Sequence, residues 1–125
     1  MRYWDTLLRE TRGDFEVIVD KSWEDCPIRD LFDDTCYDIK EMEDKVNRGD
    51  LDWFMLRARV FVEGLELGDA IVGGFLYEDA AETLRDGTAE DLISQAMDEA
   101  KKQVYPLYKK FAAINEELER EGVAL

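Results

Sequence analysis

The sequence predicts an α+β domain in which an antiparallel sheet of three or four strands carries helices on one face. Three observations lead there. Residues 52–77 hold long aromatic and β-branched runs interrupted by a Gly-containing turn, the clearest strand signal in the chain. Residues 15–20 repeat apolar side chains largely at period two. The last third of the chain carries an apolar stripe at helical spacing, and such a stripe is stable when a sheet covers it.

In chain order, residues 3–10 read either as a strand or as a short helix. The Thr11-Arg12-Gly13-Asp14 turn favours a hairpin with residues 15–23, where Phe15, Val17 and Val19 alternate with Glu16, Ile18 and Asp20. From Glu24 to Asp38 the pattern breaks into an irregular connection: Pro27 follows Cys26, and acids alternate with the anchors Ile28, Leu31, Phe32 and Tyr37. Asp38 is placed to cap a helix reaching Arg48, with Ile39, Met42 and Val46 on one side and Gly49 as its stop. Trp53 to Val62 reads as a strand with Arg57 and Arg59 at alternate positions, Glu63-Gly64-Leu65-Glu66 as a turn, and Leu67 to Tyr77 as the return strand. Gly73-Gly74 within that return predicts a bulge or a close backbone approach rather than a phosphate loop.

Glu78 to Arg85 predicts a short helix ended by Gly87. Thr88 then opens the last helix, with Asp91 completing an acidic variant of the capping box. Leu92, Ala96, Ala100, Val104, Tyr108, Phe111 and Leu118 lie along one face, broadened by Ile93, Met97 and Leu107. Core packing against the sheet is the expected use of this stripe, and a surface for a partner or for self-association is the alternative for its far half. Pro106 lacks a backbone donor and clashes with the preceding turn, so the long C-terminal helix is expected to be kinked or broken near it.

A length of 125 residues with 46% hydrophobic side chains suits one domain, spanning 1–125, with a core of its own. Met1-Arg2-Tyr3-Trp4-Asp5 has no apolar h-region, and no apolar run approaches a membrane span. A cytosolic protein with Cys26 and Cys36 reduced is the expectation.

Chemistry is sparse. The absence of histidine removes serine–histidine and cysteine–histidine catalysis and every imidazole zinc site. Two cysteines with nine residues between them make neither a four-thiolate site nor a zinc-ribbon spacing. No Walker loop or dinucleotide fingerprint occurs, and Asp30, Asp33, Asp34 and Asp38 do not fit a calcium-binding EF-hand loop, which leaves them at most weak adventitious sites for divalent cations. The expectation is a binding protein with no cofactor, no metal and no catalytic role.

The acid is distributed unevenly. The formal net charge is −15, which repels nucleic acid and anionic membranes and attracts basic partners. Nine acids stand between Glu24 and Asp44 against only Arg29 and Lys40, about half of the excess. Two readings compete for this stretch. It is a solvated face that keeps the protein dissolved, or it is a ridge whose carboxylates imitate nucleic-acid phosphates in a basic channel. Interleaved Ile28, Leu31, Phe32, Tyr37, Ile39 and Met42 could hold the acids in fixed positions, as a mimic requires. The predicted contacts are Asp30, Asp33, Asp34, Asp38, Glu41 and Asp44, with Phe32 and Tyr37 as apolar anchors.

Leu51-Asp52-Trp53-Phe54-Met55-Leu56-Arg57-Ala58-Arg59-Val60, continuing through Glu63-Gly64-Leu65-Glu66-Leu67-Gly68, Gly73-Gly74, Tyr77-Glu78-Asp79 and the final helix, resembles small proteins of tailed bacteriophages across roughly residues 14–110. A compact acidic phage protein without catalytic residues is in turn similar to the anti-CRISPR and antirestriction inhibitors, several of which are DNA mimics. That resemblance implies a host-cell protein that binds the basic nucleic-acid channel of a defence complex. No motif of the class maps residue by residue, so it assigns no role to any side chain. The alternative is a structural or assembly module that self-associates, as a homodimer for example, with acidity serving solubility. An immunity-type protein that neutralises a basic toxin would differ from the inhibitor only in its target.

Overall fold

A computed structural model describes residues 2–122. Four strands, β1 (Asp5–Arg12), β2 (Phe15–Trp23), β3 (Asp52–Val62) and β4 (Leu65–Tyr77), form one antiparallel meander in the order β1-β2-β3-β4. Between β2 and β3 lie two short helices, α1 (Ile28–Leu31) and α2 (Ile39–Arg48). A 3-10 turn (Ala80–Leu84) then leads to the long helix α3 (Thr88–Arg120). The α+β class, the four-stranded sheet and the long C-terminal helix agree with the sequence reading.

Both hairpins are tight because glycine supplies the backbone they need. Gly13 takes φ 62° in the first turn. Glu63 and Gly64 take φ 49° and 80° in the second, so this turn has only two residues and Leu65 already belongs to the strand. Positive φ at both central positions matches the right-handed twist of the flanking strands. The Gly73-Gly74 step is both a bulge and a close approach. The register between β3 and β4 shifts beside it, Gly74 has φ 82°, and a Cβ on Gly73 would overlap the Glu24 carboxylate.

The main core is one face of the sheet under the first half of α3. Val17 and Val19 of β2 and Phe54, Leu56, Ala58 and Val60 of β3 meet Ala89, Leu92, Ile93, Ala96 and Ala100. The helix lies very close to β4: a Cβ on Gly68 would overlap the Ala96 carbonyl oxygen and sit 2.7 Å from the Ala100 nitrogen. Only glycine allows this approach.

Strand β2 is buried on both sides. On the face away from α3, Asp20 is 1% exposed. Its Oδ2 accepts from Arg57 (2.8 Å) and Arg59 (3.0 Å), and Oδ1 accepts from Thr6 (3.0 Å). The Arg57 guanidinium in turn lies 4.0 Å from the ring centre of Trp4, a cation–π contact that covers this part of the sheet.

Three sequence expectations change. The expected helix over residues 78–85 shortens to the 3-10 turn at Ala80–Leu84, with Asp79 accepting from the Ala81 N–H. Thr88 does not cap α3 and the capping box with Asp91 does not form. Instead Gly87 occupies the cap, and Asp86 accepts both the Thr88 N–H (2.9 Å) and the Tyr77 hydroxyl (2.5 Å). Of the kink or break expected near Pro106, the break does not occur, since residues 88–120 form one helix with Pro106 inside it. Pro106 and Lys102 are both exposed, so the Lys102 carbonyl that loses its helical donor faces water.

The stripe on α3 divides sharply. Its first half is core, whereas Val104 (46%), Tyr108 (66%) and Phe111 (54%) are exposed. Core packing therefore accounts for the helix only as far as Ala100. At about 1.5 Å per residue the helix is about 50 Å long, more than a four-stranded sheet can cover.

Candidate partner-binding surface

The acidic connection folds into an ordered unit attached to the sheet through Trp53. Ile28, Ile39 and Trp53 form a second small core, joined by Phe32, Met42, Val46 and Leu76. Strand alternation places Trp53 and its cross-strand partner Leu76 opposite Phe54 and Phe75, which face α3. Packing of helices on one face thus holds for α3, while α1 and α2 gather at the other side.

Polar ties fix the entry to this unit. The backbone N–H groups of Cys26 and Gly74 donate to the two oxygens of Glu24 (3.1 and 2.9 Å), stitching the start of the connection to the β4 bulge. Trp53 Nε1 donates to the Cys26 carbonyl (2.8 Å). Arg29 of α1 reaches Glu43 of α2 (2.6 Å), and Arg2 pairs with Asp25.

Within this frame the six predicted acids, Asp30, Asp33, Asp34, Asp38, Glu41 and Asp44, are all exposed. Two of them also shape the backbone. Asp33 accepts from the Thr35 N–H (2.9 Å), and that bond holds its carboxyl below the usual carboxylate range. Asp38 caps α2 by accepting the Glu41 N–H (3.1 Å), and Gly49 ends the helix at φ 83°, both as the sequence predicts. Glu41 pairs with Lys45 one turn on (3.2 Å). Asp30, Asp34 and Asp44 form no ion pair among the described residues.

The two aromatic anchors are adjacent. Phe32 packs edge-on to Tyr37, with ring centres 5.0 Å apart, and against Trp53 at 5.9 Å. Phe32 is half-buried and Tyr37 is 50% exposed. Arg29, Phe32, Asp33, Asp34 and Ile39 line an open cleft of roughly 350 Å³. Two of the predicted carboxylates, the Arg29 guanidinium and the apolar Phe32 and Ile39 therefore share one cleft.

Neither cysteine is bonded. Cys26 is half-buried, and burial with nearby Asp30 and Glu24 pushes its thiol pKa up, away from the reactive thiolate. Cys36 is exposed, with its Sγ 3.8 Å from the Thr35 hydroxyl. Among the described residues, no three cysteine or carboxylate side chains are grouped to hold a metal ion, and no helix is long and apolar enough to cross a membrane.

A second surface was only half legible in the sequence. The tips of both hairpins and the far half of α3 enclose an apolar groove of roughly 630 Å³, lined by Phe15, Val62, Leu65, Leu67, Leu107 and Phe111, among others. Its helical wall was visible as the far half of the stripe. The hairpin wall was not, because no local pattern shows that two turns lie beside one helix.

Comparison of the chain with protein-family models, with curated proteins and with solved structures finds no match.

Proposed function

We propose that the protein is a non-catalytic, stoichiometric binding protein that lays its α1–α2 ridge into a basic site on a nucleic-acid-handling protein. The observation that carries this reading is the mounting of six exposed carboxylates on a capped, sheet-anchored unit. A fixed array loses less entropy on binding than a flexible acidic tail and can hold a spacing that matches phosphates. Phe32 and Tyr37 add the apolar contact that charge alone lacks. Together with the resemblance to phage proteins, this favours an inhibitor of a host defence complex acting by charge mimicry in the bacterial cytoplasm.

A pull-down from bacterial lysate tests the reading, using wild type beside a variant carrying Asp30→Asn, Asp33→Asn, Asp34→Asn, Asp38→Asn, Glu41→Gln and Asp44→Asn. Asparagine still caps helices and turns, so the fold is retained, and circular dichroism checks that it is. The expected result is a basic nucleic-acid-binding protein captured by wild type at low salt, progressively lost as salt rises, and not captured by the variant. Capture of nothing, or of the same proteins by both, sinks the proposal.

A second reading, an assembly module whose acidity serves solubility, is favoured by the exposed Val104, Tyr108 and Phe111 of α3.

A further inference from the structure

We propose that two copies of the chain form a two-fold symmetric dimer in which the far halves of α3 pair antiparallel, each filling the apolar groove of the other. The inference develops the assembly reading and stands independently of the acidic ridge.

Beyond the sheet, the apolar residues Val104, Leu107, Phe111, Ile114 and Leu118 follow one another at spacings of three, four, three and four. This is the seam of a two-stranded coiled coil, a pattern that a single helix in water has no reason to keep. From Lys101 to Arg120 every residue but Leu107 and Leu118 is exposed, so the seam has no occupant among the described residues.

Charge selects both a second copy as occupant and its direction. Lys101, Lys102, Lys109 and Lys110 come first along this half, and Glu116, Glu117 and Glu119 follow. Antiparallel pairing sets the bases of each helix against the acids of the other, whereas parallel pairing sets like against like. With Arg120 included, the segment holds five bases against three acids. It is therefore spared the self-repulsion that a chain of net charge −15 would otherwise suffer on meeting its own copy.

One register satisfies seam and charge together. Leu107 layers against Leu118 of the second copy and Phe111 against Ile114 of the second copy, each repeated by the two-fold axis. Lys110 then stands beside Glu117 of the second copy, and the two-fold axis repeats the pair on the same flank of the seam. In this register the end of one helix runs beside Leu107 and Phe111 of the other, which are the groove's own lining, and meets Phe15, Val62, Leu65 and Leu67 on the hairpin tips. The contact is isologous and closed, so association stops at two. Pro106 lies away from the seam, as does Tyr105, which stacks with Tyr108 and sits under Lys109.

Sedimentation equilibrium of the purified protein over a concentration series tests this. The wild type is expected as a dimer at about 100 µM, dissociating on dilution. Phe111→Asp, at an exposed position, leaves the monomer folded and raises the dimer dissociation constant about a hundredfold. Lys110→Glu and Glu117→Lys each weaken the dimer about tenfold, and the double swap restores it. A monomer throughout the series, a dimer indifferent to Phe111→Asp, or a double swap that fails to restore association overturns the proposal. None of these outcomes touches the acidic ridge, which the six-acid variant tests separately.

Discussion

Asp20 is the side chain on which the open face of the sheet depends. Its carboxylate is buried, and Arg57 and Arg59 both donate to one of its oxygens while keeping roughly a quarter of their own surface in solvent. The Nε atoms of both arginines are buried without a partner, so these guanidinium groups depend heavily on the one acid. Asp20→Asn keeps the shape, removes the charge, and leaves two cations side by side in a partly dry setting. Urea denaturation is expected to show a loss of about 3 kcal/mol, and a loss under about 1 kcal/mol would place this cluster with ordinary surface ion pairs. The sequence showed Arg57 and Arg59 on alternate positions of a strand, but not that Asp20 faces them. That pairing follows from the β2–β3 register, in which Asp20 stands beside Arg57. Strand alternation assigns a residue to a face, and only the register assigns its neighbours.

At the scale of the elements, what could be read from the chain is what is decided locally. Asp38 and Gly49 bound α2 because a carboxylate can accept an orphan N–H and glycine can adopt positive φ, and both reasons lie within one turn of the helix. The hairpins and the Gly73-Gly74 bulge are local in the same sense. The start of α3 was misread because Asp86, two residues before Thr88, accepts the Thr88 N–H that the Asp91 side chain of the box was expected to accept. The end of the buried stripe was also hidden, because helical periodicity gives the direction of an apolar face but not the length of the surface that will cover it. Gly68 marks a place where α3 and the sheet approach within contact of their backbones. Gly68→Val must push α3 away from β4, and thermal or urea unfolding is expected to lose about 3 kcal/mol. An unchanged stability would mean that the helix sits higher over β4 than this packing requires.

On the scale of the molecule, acid and apolar surface are segregated. Residues 24–44, which include α1 and the first half of α2, carry about half of the excess negative charge on the side of the sheet away from α3, and the far half of α3 carries the exposed seam with a slight basic excess. Such a separation lets one surface meet a basic partner while the other meets a second copy, and a dimer would then present two ridges to a target with repeated sites, gaining avidity. The central claim is that the ridge competes with nucleic acid for a basic site. The most direct measurement is elution of bacterial lysate proteins from immobilised duplex DNA, with wild type and the six-acid variant applied at equal concentration and constant salt. Mimicry predicts that wild type releases a discrete nucleic-acid-binding protein that the variant leaves on the column. Release of nothing by either, or of the same proteins by both, would contradict it and leave the carboxylates as a solvated face.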